Sequence, residues 1–481
     1  MFPSVRAEAG WAICLSSDSH RFSAHSESVS KREAGCGSPV LMQVGECVMS
    51  EAEALASMLR SNTSLREGGE VARPATPVQT PDRRAPLLQF AGLSAGYFAH
   101  IGFFNPYLPL WLQELGFSLI AISLLSSVQS ATRLFAPYAW GILSDRTGEC
   151  VKLLRYGATA ALVLSVALWF PLGGVGMFTV LLLMFAHTSA MMPMIEGALA
   201  NLVSQGGAFD AGRYGRVRLC GSLGFLMAVM GAGWWFQRFG MSHFPAWVGA
   251  TLVAVVFSAW LLPDQKDPDH SVKTHPDIWP VLRQPVVRWF FSAVFFHVLS
   301  HIFVFIFFSL YLDSLGYEKS VIGLLWAVSV LIEIGCFFTQ GRWLSKLPLT
   351  AWLVLASALM VVRMGLTAGL PLVWPLLLLA QAMHAITFST HHTVCIAMLS
   401  QHFPGRLRGR GQALYTVVGY GLPGVIGGLG GGVLSSNFGL GSVFWLSAVV
   451  AMVALGCTCR LRRLQRHPRN RQSRHDQPVG G

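Results

Sequence analysis

The chain has little charge. Only 12% of its 481 residues are Asp, Glu, Lys or Arg, roughly half the share in an ordinary water-soluble domain. With 53% hydrophobic residues and a mean hydropathy of +0.51, it carries more apolar surface than a water-soluble core can hide. Lipid must therefore be its solvent. A cysteine framework is also missing. The nine cysteines are scattered, and Cys457-Thr-Cys459 lies at a helix end without metal-ligand geometry, so they read as small core residues. No Gly-x-x-x-x-Gly-Lys-[Ser/Thr] loop occurs, which excludes ATP as the energy source within this chain. The net charge of +12 has no aromatic readout motif beside it, which argues against nucleic acid.

The sequence does contain a near-repeat of itself. Leu110-Trp-Leu-Gln-Glu-Leu-Gly-Phe117 returns 200 residues later as Leu310-Tyr-Leu-Asp-Ser-Leu-Gly-Tyr317. Ile122, Leu124, Leu125 and Val128 then meet Ile322, Leu324, Leu325 and Val328, and Gly141 meets Gly341. Two similar membrane halves are the mark of a transporter whose substrate path lies between them. One matched pair breaks the symmetry, because Arg133 in the first copy stands where Glu333 stands in the second.

From residue 86 onward, twelve apolar spans are each long enough to cross a bilayer. They are 86–113, 118–141, 151–171, 174–202, 214–237, 242–263, 286–312, 319–340, 350–369, 372–400, 409–434 and 439–460. The expected fold is an all-α membrane protein of twelve transmembrane helices in two six-helix halves. Five regions follow: a disordered extension over 1–85, a first bundle over 86–263, a polar central loop over 264–285, a second bundle over 286–460 and a basic tail over 461–481. Met42, Met49 and Met58 are alternative starts within the extension. Alternate loops carry fifteen basic residues, from Arg146, Lys152 and Arg155 to Arg406, Arg408 and Arg410, against only Arg238 and Lys319 on the other side. The positive-inside rule makes the basic side cytoplasmic, with both termini there. The basic tail is expected to lie against anionic lipid headgroups.

Gly141-Ile-Leu-Ser-Asp145-Arg146-Thr-Gly148, followed by Lys152 and Arg155, fits the signature of the major facilitator superfamily between its second and third helices. The physical reading is a latch. Gly141 permits close helix approach, Asp145 accepts from a helix N-terminus or a cation, and Arg146 reaches a neighbouring carboxylate. Glu196 completes such a latch with Arg146, or pairs with Arg216 or Arg218.

Charges at bilayer depth cost about 2.5–3.5 kcal/mol each even on lenient scales, so they are functional candidates. Arg133 suits an anionic substrate group, since guanidinium grips carboxylate bidentately; the alternative is a carboxylate partner on another helix. Glu333 and Arg363 are placed to form an ion pair between the eighth and ninth spans, and Asn105, beside Pro106, is a weaker member of the set. His297 and His301 share a helix face, as do His384 and His391, and His392 adjoins them. Histidine suits proton relay. His301, His392 and His384 are the candidates for proton coupling alongside Glu333. No carboxylate stands at ligand spacing beside the His297–His301 or His384–His391 pair, so neither metal nor cofactor is expected. Gly424, Gly428 and Gly432 form a small-residue stripe for close packing, and the aromatic run Phe303 to Phe308 reads as packing or lipid-facing surface, the alternative being a platform that stacks a planar substrate.

These residues resemble the phenylpropionate permease family of the major facilitator superfamily. The similarity spans about 86–460 and rests on Tyr214-Gly-Arg-Val-Arg218-Leu-Cys-Gly-Ser222, Ala131-Thr-Arg133, His301, Glu333, Arg363 and the His384 to His392 spacing. The resemblance implies proton-driven uptake of a small aromatic carboxylate across a bacterial inner membrane by a protein needing no partner subunit. The substrate would bind Arg133 or Arg363, with Arg218 and Glu196 in the gate. A lactose-like sugar or nucleoside symporter and a drug exporter are the alternatives within transporters. A membrane-embedded enzyme would need clustered His and acids at one membrane face, and a receptor would need a folded effector domain. Neither is expected.

Overall fold

A computed structural model describes residues 84–204, 211–264, 277–404 and 407–475. The expected extension (1–85), most of the central loop, Arg406 and the end of the tail lie outside the described residues or at their margin, as does the side chain of Asp145. The described elements are all helical. Eleven helices are long and apolar enough to cross a membrane: α1 Pro86–Glu114, α2 Leu119–Ser144, α3 Cys150–Trp169, α4 Gly174–Ala200, α5 Arg213–Phe239, α6 Met241–Leu261, α7 Pro285–Ser314, α8 Lys319–Arg342, α9 Leu349–Gly369, α11 Arg410–Phe438 and α12 Leu440–Arg466. The tenth span is α10, 374–402, in which α-helix gives way to a π-helical stretch over Ala385–Thr390 and then resumes. Large apolar side chains such as Val175, Phe257, Trp445 and Met452 are more than half exposed, as a lipid-facing surface requires.

The sequence repeat is a structural one. Gly116 and Gly316 both have φ of 85°, Gly240 has 84° and Gly439 has 80°, a left-handed conformation that glycine adopts without strain. Around the first pair the backbone closes identically, with Phe117 N–H donating to Leu112 O at 3.1 Å and Tyr317 N–H to Leu312 O at 3.0 Å. The Trp111 ring stacks on Phe244 with centroids 4.8 Å apart, and Tyr311 meets Phe444 at the same 4.8 Å. All four tight turns lie on the side opposite the basic loops.

On that opposite side the two halves meet at two matched contacts. The glycines of α11 face serines of α2: a Cβ on Gly432, Gly428 or Gly424 would run into Ser123, Ser127 or Ser130 respectively. In the symmetric contact, Gly233 of α5 faces Gly323 of α8, and a Cβ on either would strike the Tyr107 hydroxyl. Small residues at these points let backbones approach without lipid between them. The Tyr107 hydroxyl of α1 is shared between Val229 O at 3.1 Å and Lys319 O at 3.2 Å, so it ties three helices together. Phe303, Phe307 and Phe308 are buried within the bundle rather than lipid-facing, because α7 is the most enclosed span, 83% buried.

Several helices break where proline removes a ladder donor. Pro137 has no N–H for the Arg133 carbonyl, and α2 is interrupted over residues 133–135. Pro193 does the same to Ser189, and α4 is interrupted at 189–190. Pro423 follows a π-helical stretch over Val417–Gly421 in α11. The π stretch of α10 has no proline. There the Thr387, Ser389 and Thr390 hydroxyls bond back to carbonyls of Met383 and Ala385.

Candidate functional site

The interrupted parts of α2, α4 and α11 border one cavity of about 390 Å³ between the two halves, within the size range of small-molecule sites, about 300–1,000 Å³. Its walls are mainly from the N-terminal half. Phe98, Ile101, Phe104 and Phe185 supply apolar surface, and Arg133, Glu196, Arg218, Asn105 and Gln129 supply polarity. The C-terminal half contributes Thr416 and Tyr420. The cavity lies toward the side of the basic loops, because the other side is closed by the glycine contacts.

Arg133 is the C-cap residue of the first segment of α2. The helix break directs it to the cavity, and its charge acts on the hydroxyls of Tyr97 and Tyr420. No described carboxylate stands within ion-pair distance of it. Glu196, by contrast, is matched: its Oε1 is 3.8 Å from Arg218 Nε, and that guanidinium lies over the Phe98 ring at 4.3 Å. Of the partners expected for Glu196, the structure selects Arg218, not Arg146, which is exposed on the basic side. Asn105 accepts from Gln129 Nε2 at 3.1 Å, and so holds that amide at the cavity wall. Gly141 meets nothing within 4 Å at its Cβ position, so close helix approach is not its role in this conformation. Of the bases after the signature, Lys152 pairs with Glu149 at 2.7 Å. Arg155 reaches Asp264 at 2.7 Å and ties α3 to the end of α6.

A second polar cluster lies within the C-terminal half, with Glu333 at its partly exposed end. The expected direct pair between Glu333 and Arg363 is not made; His384 stands between them. Glu333 Oε2 is 3.2 Å from His384 Nε2, and Arg363 Nη1 is 3.3 Å from His384 Nδ1. Arg363 also donates to Thr387 Oγ1 at 3.1 Å and to Gln381 Oε1 at 3.5 Å. Arg363 is 1% exposed and does not line the cavity, which removes it from substrate contact in this conformation. His301 packs against His384 with ring centroids 5.1 Å apart, and neither of its nitrogens meets a protein partner. His297 and His391 stack face to face at 3.7 Å, which points their in-plane nitrogens away from any common ligand. Among the described residues no group of three His, Cys, Asp or Glu side chains is placed to hold a metal.

His392 lies further along α10 than His384, behind the cavity-lining Tyr420. Its Nδ1 is 3.2 Å from the Tyr415 hydroxyl and 3.3 Å from that of Tyr420. Sequence reasoning singled out His392 but not these tyrosines. Tyrosine carries no helical-membrane signal comparable to a charge, and only the fold of α11 brings Tyr420 to the cavity.

Comparison with known proteins agrees with this architecture. The sequence profile of the MFS_1 like family matches residues 91–446. The chain is 25% identical over 376 residues to the probable 3-phenylpropionic acid transporter of Escherichia coli (strain K12), covering 76% of this chain and 95% of that one. It is 26% identical over 361 residues to the maltose permease of Geobacillus stearothermophilus, covering 74% of this chain and 90% of the other. Among solved structures, the nucleoside transporter NupG superposes with a TM-score of 0.66 at 17% identity, covering 78% of this chain and 98% of NupG.

Proposed function

The chain belongs to the MFS_1 like family of membrane transporters, and from that premise we propose that it is a proton symporter importing a small aromatic carboxylate such as 3-phenylpropionate. The observation that carries the reading is Arg133, a cation facing the interhalf cavity with no carboxylate partner among the described residues, beside a Glu196 already matched by Arg218. A cavity built this way has one unmatched positive charge, and an anionic substrate supplies the missing negative one. The Phe98, Phe104 and Phe185 rings fit an aromatic body. No tryptophan lines the cavity among the described residues, which disfavours the stacking platform of a sugar site.

Glu333, His384 and His301, with His392 behind the cavity-lining Tyr420, form the proton-coupling set of this proposal. Protonating Glu333 would weaken its hold on His384 and loosen the His384 contact to Arg363. The basic side is the cytoplasmic face of a bacterial inner membrane, both termini lie there, and the structure is then the inward-open state of a rocking two-bundle transporter. The signature residues Asp145 and Arg146, with Glu196 and Arg218, gate that face. A monomer suffices, since cavity and coupling cluster lie within one chain.

The test is uptake of labelled 3-phenylpropionate by cells expressing the chain, with and without an imposed inward proton gradient, beside Glu333→Gln. Gradient-driven uptake that Glu333→Gln abolishes supports the reading. Uptake unchanged in the variant moves coupling to the histidines or Glu196. Accumulation of maltose or a nucleoside in place of the acid overturns the substrate assignment and leaves the transporter.

A further inference from the structure

The cavity wall is asymmetric in a way that alternating access makes significant. A substrate held only by the N-terminal half gives the C-terminal half no reason to close on it. Among the described lining residues, Thr416 and Tyr420 are the contributions of the C-terminal half, and both lie on α11 at or beside its π-helical stretch. π-bulges recur at functional sites because they re-aim side chains within a helix. Here the bulge turns the Tyr420 phenol toward the cavity, where the Arg133 charge acts on it.

Behind Tyr420 stands His392, and the geometry between them is over-subscribed. Two phenol oxygens, 3.2 and 3.3 Å away, converge on the single nitrogen Nδ1. A neutral Nδ1 without hydrogen has one lone pair and takes one donor well. An Nδ1 that carries hydrogen can donate to both oxygens and leaves the tyrosine hydroxyl hydrogens free to point elsewhere. Tyr420 can then direct its hydrogen either to the neighbouring Tyr415 hydroxyl or into the cavity, and an anion in the cavity is the stronger acceptor. His392 is also linked to the buried cluster. Phe388 lies between His384 and His392 on one face of α10, its ring centroid 4.9 Å from the first and 6.5 Å from the second, nearly parallel to both.

We propose that Tyr420 is the substrate ligand of the C-terminal half, donating to the anionic group held by Arg133, and that His392 senses this by taking a proton on Nδ1 when the hydroxyl turns away. The inference rests on the anionic-substrate reading above and deepens it. The bookkeeping is simple. The hydroxyl keeps its hydrogen and trades Nδ1 for the anion as acceptor, one N–H bond forms on His392 with a hydronium proton of the bulk solution, which leaves water, and the anion and proton together add no net charge. The groups facing His392 are Tyr415 and Tyr420 of α11, His391 of its own helix, and the charges of Glu333 on α8 and Arg218 on α5. Proton uptake on binding means that anion affinity falls as pH rises through the titration of His392 in the loaded protein.

The experiment is binding of 3-phenylpropionate to the purified full chain in weakly buffered detergent solution, with proton uptake recorded by an indicator dye. The wild type is expected to take up protons as it binds. Tyr420→Phe, which removes one oxygen, is expected to weaken binding about tenfold, the loss of one hydrogen bond to a charged group, and to abolish the proton uptake. His392→Gln, a second variant, is expected to flatten the part of the pH dependence of affinity that falls in the titration range of His392. Tyr420→Phe that binds within about twofold of wild type and still takes up protons overturns the inference while leaving the anionic substrate. A wild type that binds no acid overturns both, and that outcome is recognised because the unmodified protein itself is silent.

Discussion

Arg133 and Arg363 are both intramembrane arginines, and the structure gives them different work. Arg133 faces a cavity and has no carboxylate beside it among the described residues, whereas Arg363 is enclosed and bonded to His384, Thr387 and Gln381. Substituting them should therefore fail differently. Arg133→Gln is expected to leave a folded protein whose uptake of the aromatic acid falls about tenfold to a hundredfold, from loss of a charged hydrogen bond worth about 1.5–3 kcal/mol. Arg133→Lys should fall between, since it keeps charge but loses the planar fork. Arg363→Met should cost about 3 kcal/mol of stability by stranding the groups that Arg363 satisfies, read as a lowered melting temperature in detergent. These residues also show how far side chains can be read from sequence. The charges were identifiable as functional candidates because a buried charge has few innocent explanations. Their partners were not, because Glu333, Arg363 and His384 sit on three helices whose rotations fix which nitrogen meets which oxygen.

The glycines of α11 act as an element, and their partner is a stripe of serines on α2. Filling one position should separate the helices. Gly428→Val is expected to cost about 1–3 kcal/mol by overpacking against Ser127 and to impair transport. Adding Ser127→Gly should restore much of the loss by making room for the new side chain. A double-mutant cycle on melting temperature and uptake checks this coupling. The glycine stripe was legible as a packing face from its spacing alone. That it meets α2 across the two halves, rather than a neighbour within its own half, is a property of the bundle. The interruptions of α2 and α4 sit at Pro137 and Pro193, yet α1 runs unbroken through Pro106 and Pro109, so proline alone did not reveal where helices break or that the breaks converge on one cavity.

At the scale of the molecule, the two matched glycine contacts close one side, and Tyr107 fastens one of them. Its symmetry counterpart, Phe307, has no hydroxyl, so the fastening is one-sided. Tyr107→Phe removes a shared bond worth about 1 kcal/mol and should shift the balance toward opening on that side by about fivefold. Spin labels at residues 238 and 318, on the two halves of that face, should show a larger population at long distance. Orientation is open to a separate check. Cysteines at 238 and at 342 should react with a membrane-impermeant maleimide from opposite sides of the membrane, with 238 outside. Labelling of both from one side would contradict the topology.

The sequence by itself determined the solvent, the number of crossings, the duplication and the side on which positive charge collects. Each follows from local composition or from comparing the chain with itself, and none needs a partner in space. It also marked Arg133 and Glu333 as the place where the halves diverge. Only the tertiary structure decided that Arg133 stands free in a cavity, that His384 separates Glu333 from Arg363, and that Tyr420 reaches the same cavity from the other half. The physical reason is that helix rotation and crossing bring together groups far apart in the chain, as the Tyr107 hydroxyl meets Lys319 O at 3.2 Å, and apolar spans of similar composition carry no record of the angle at which they pack.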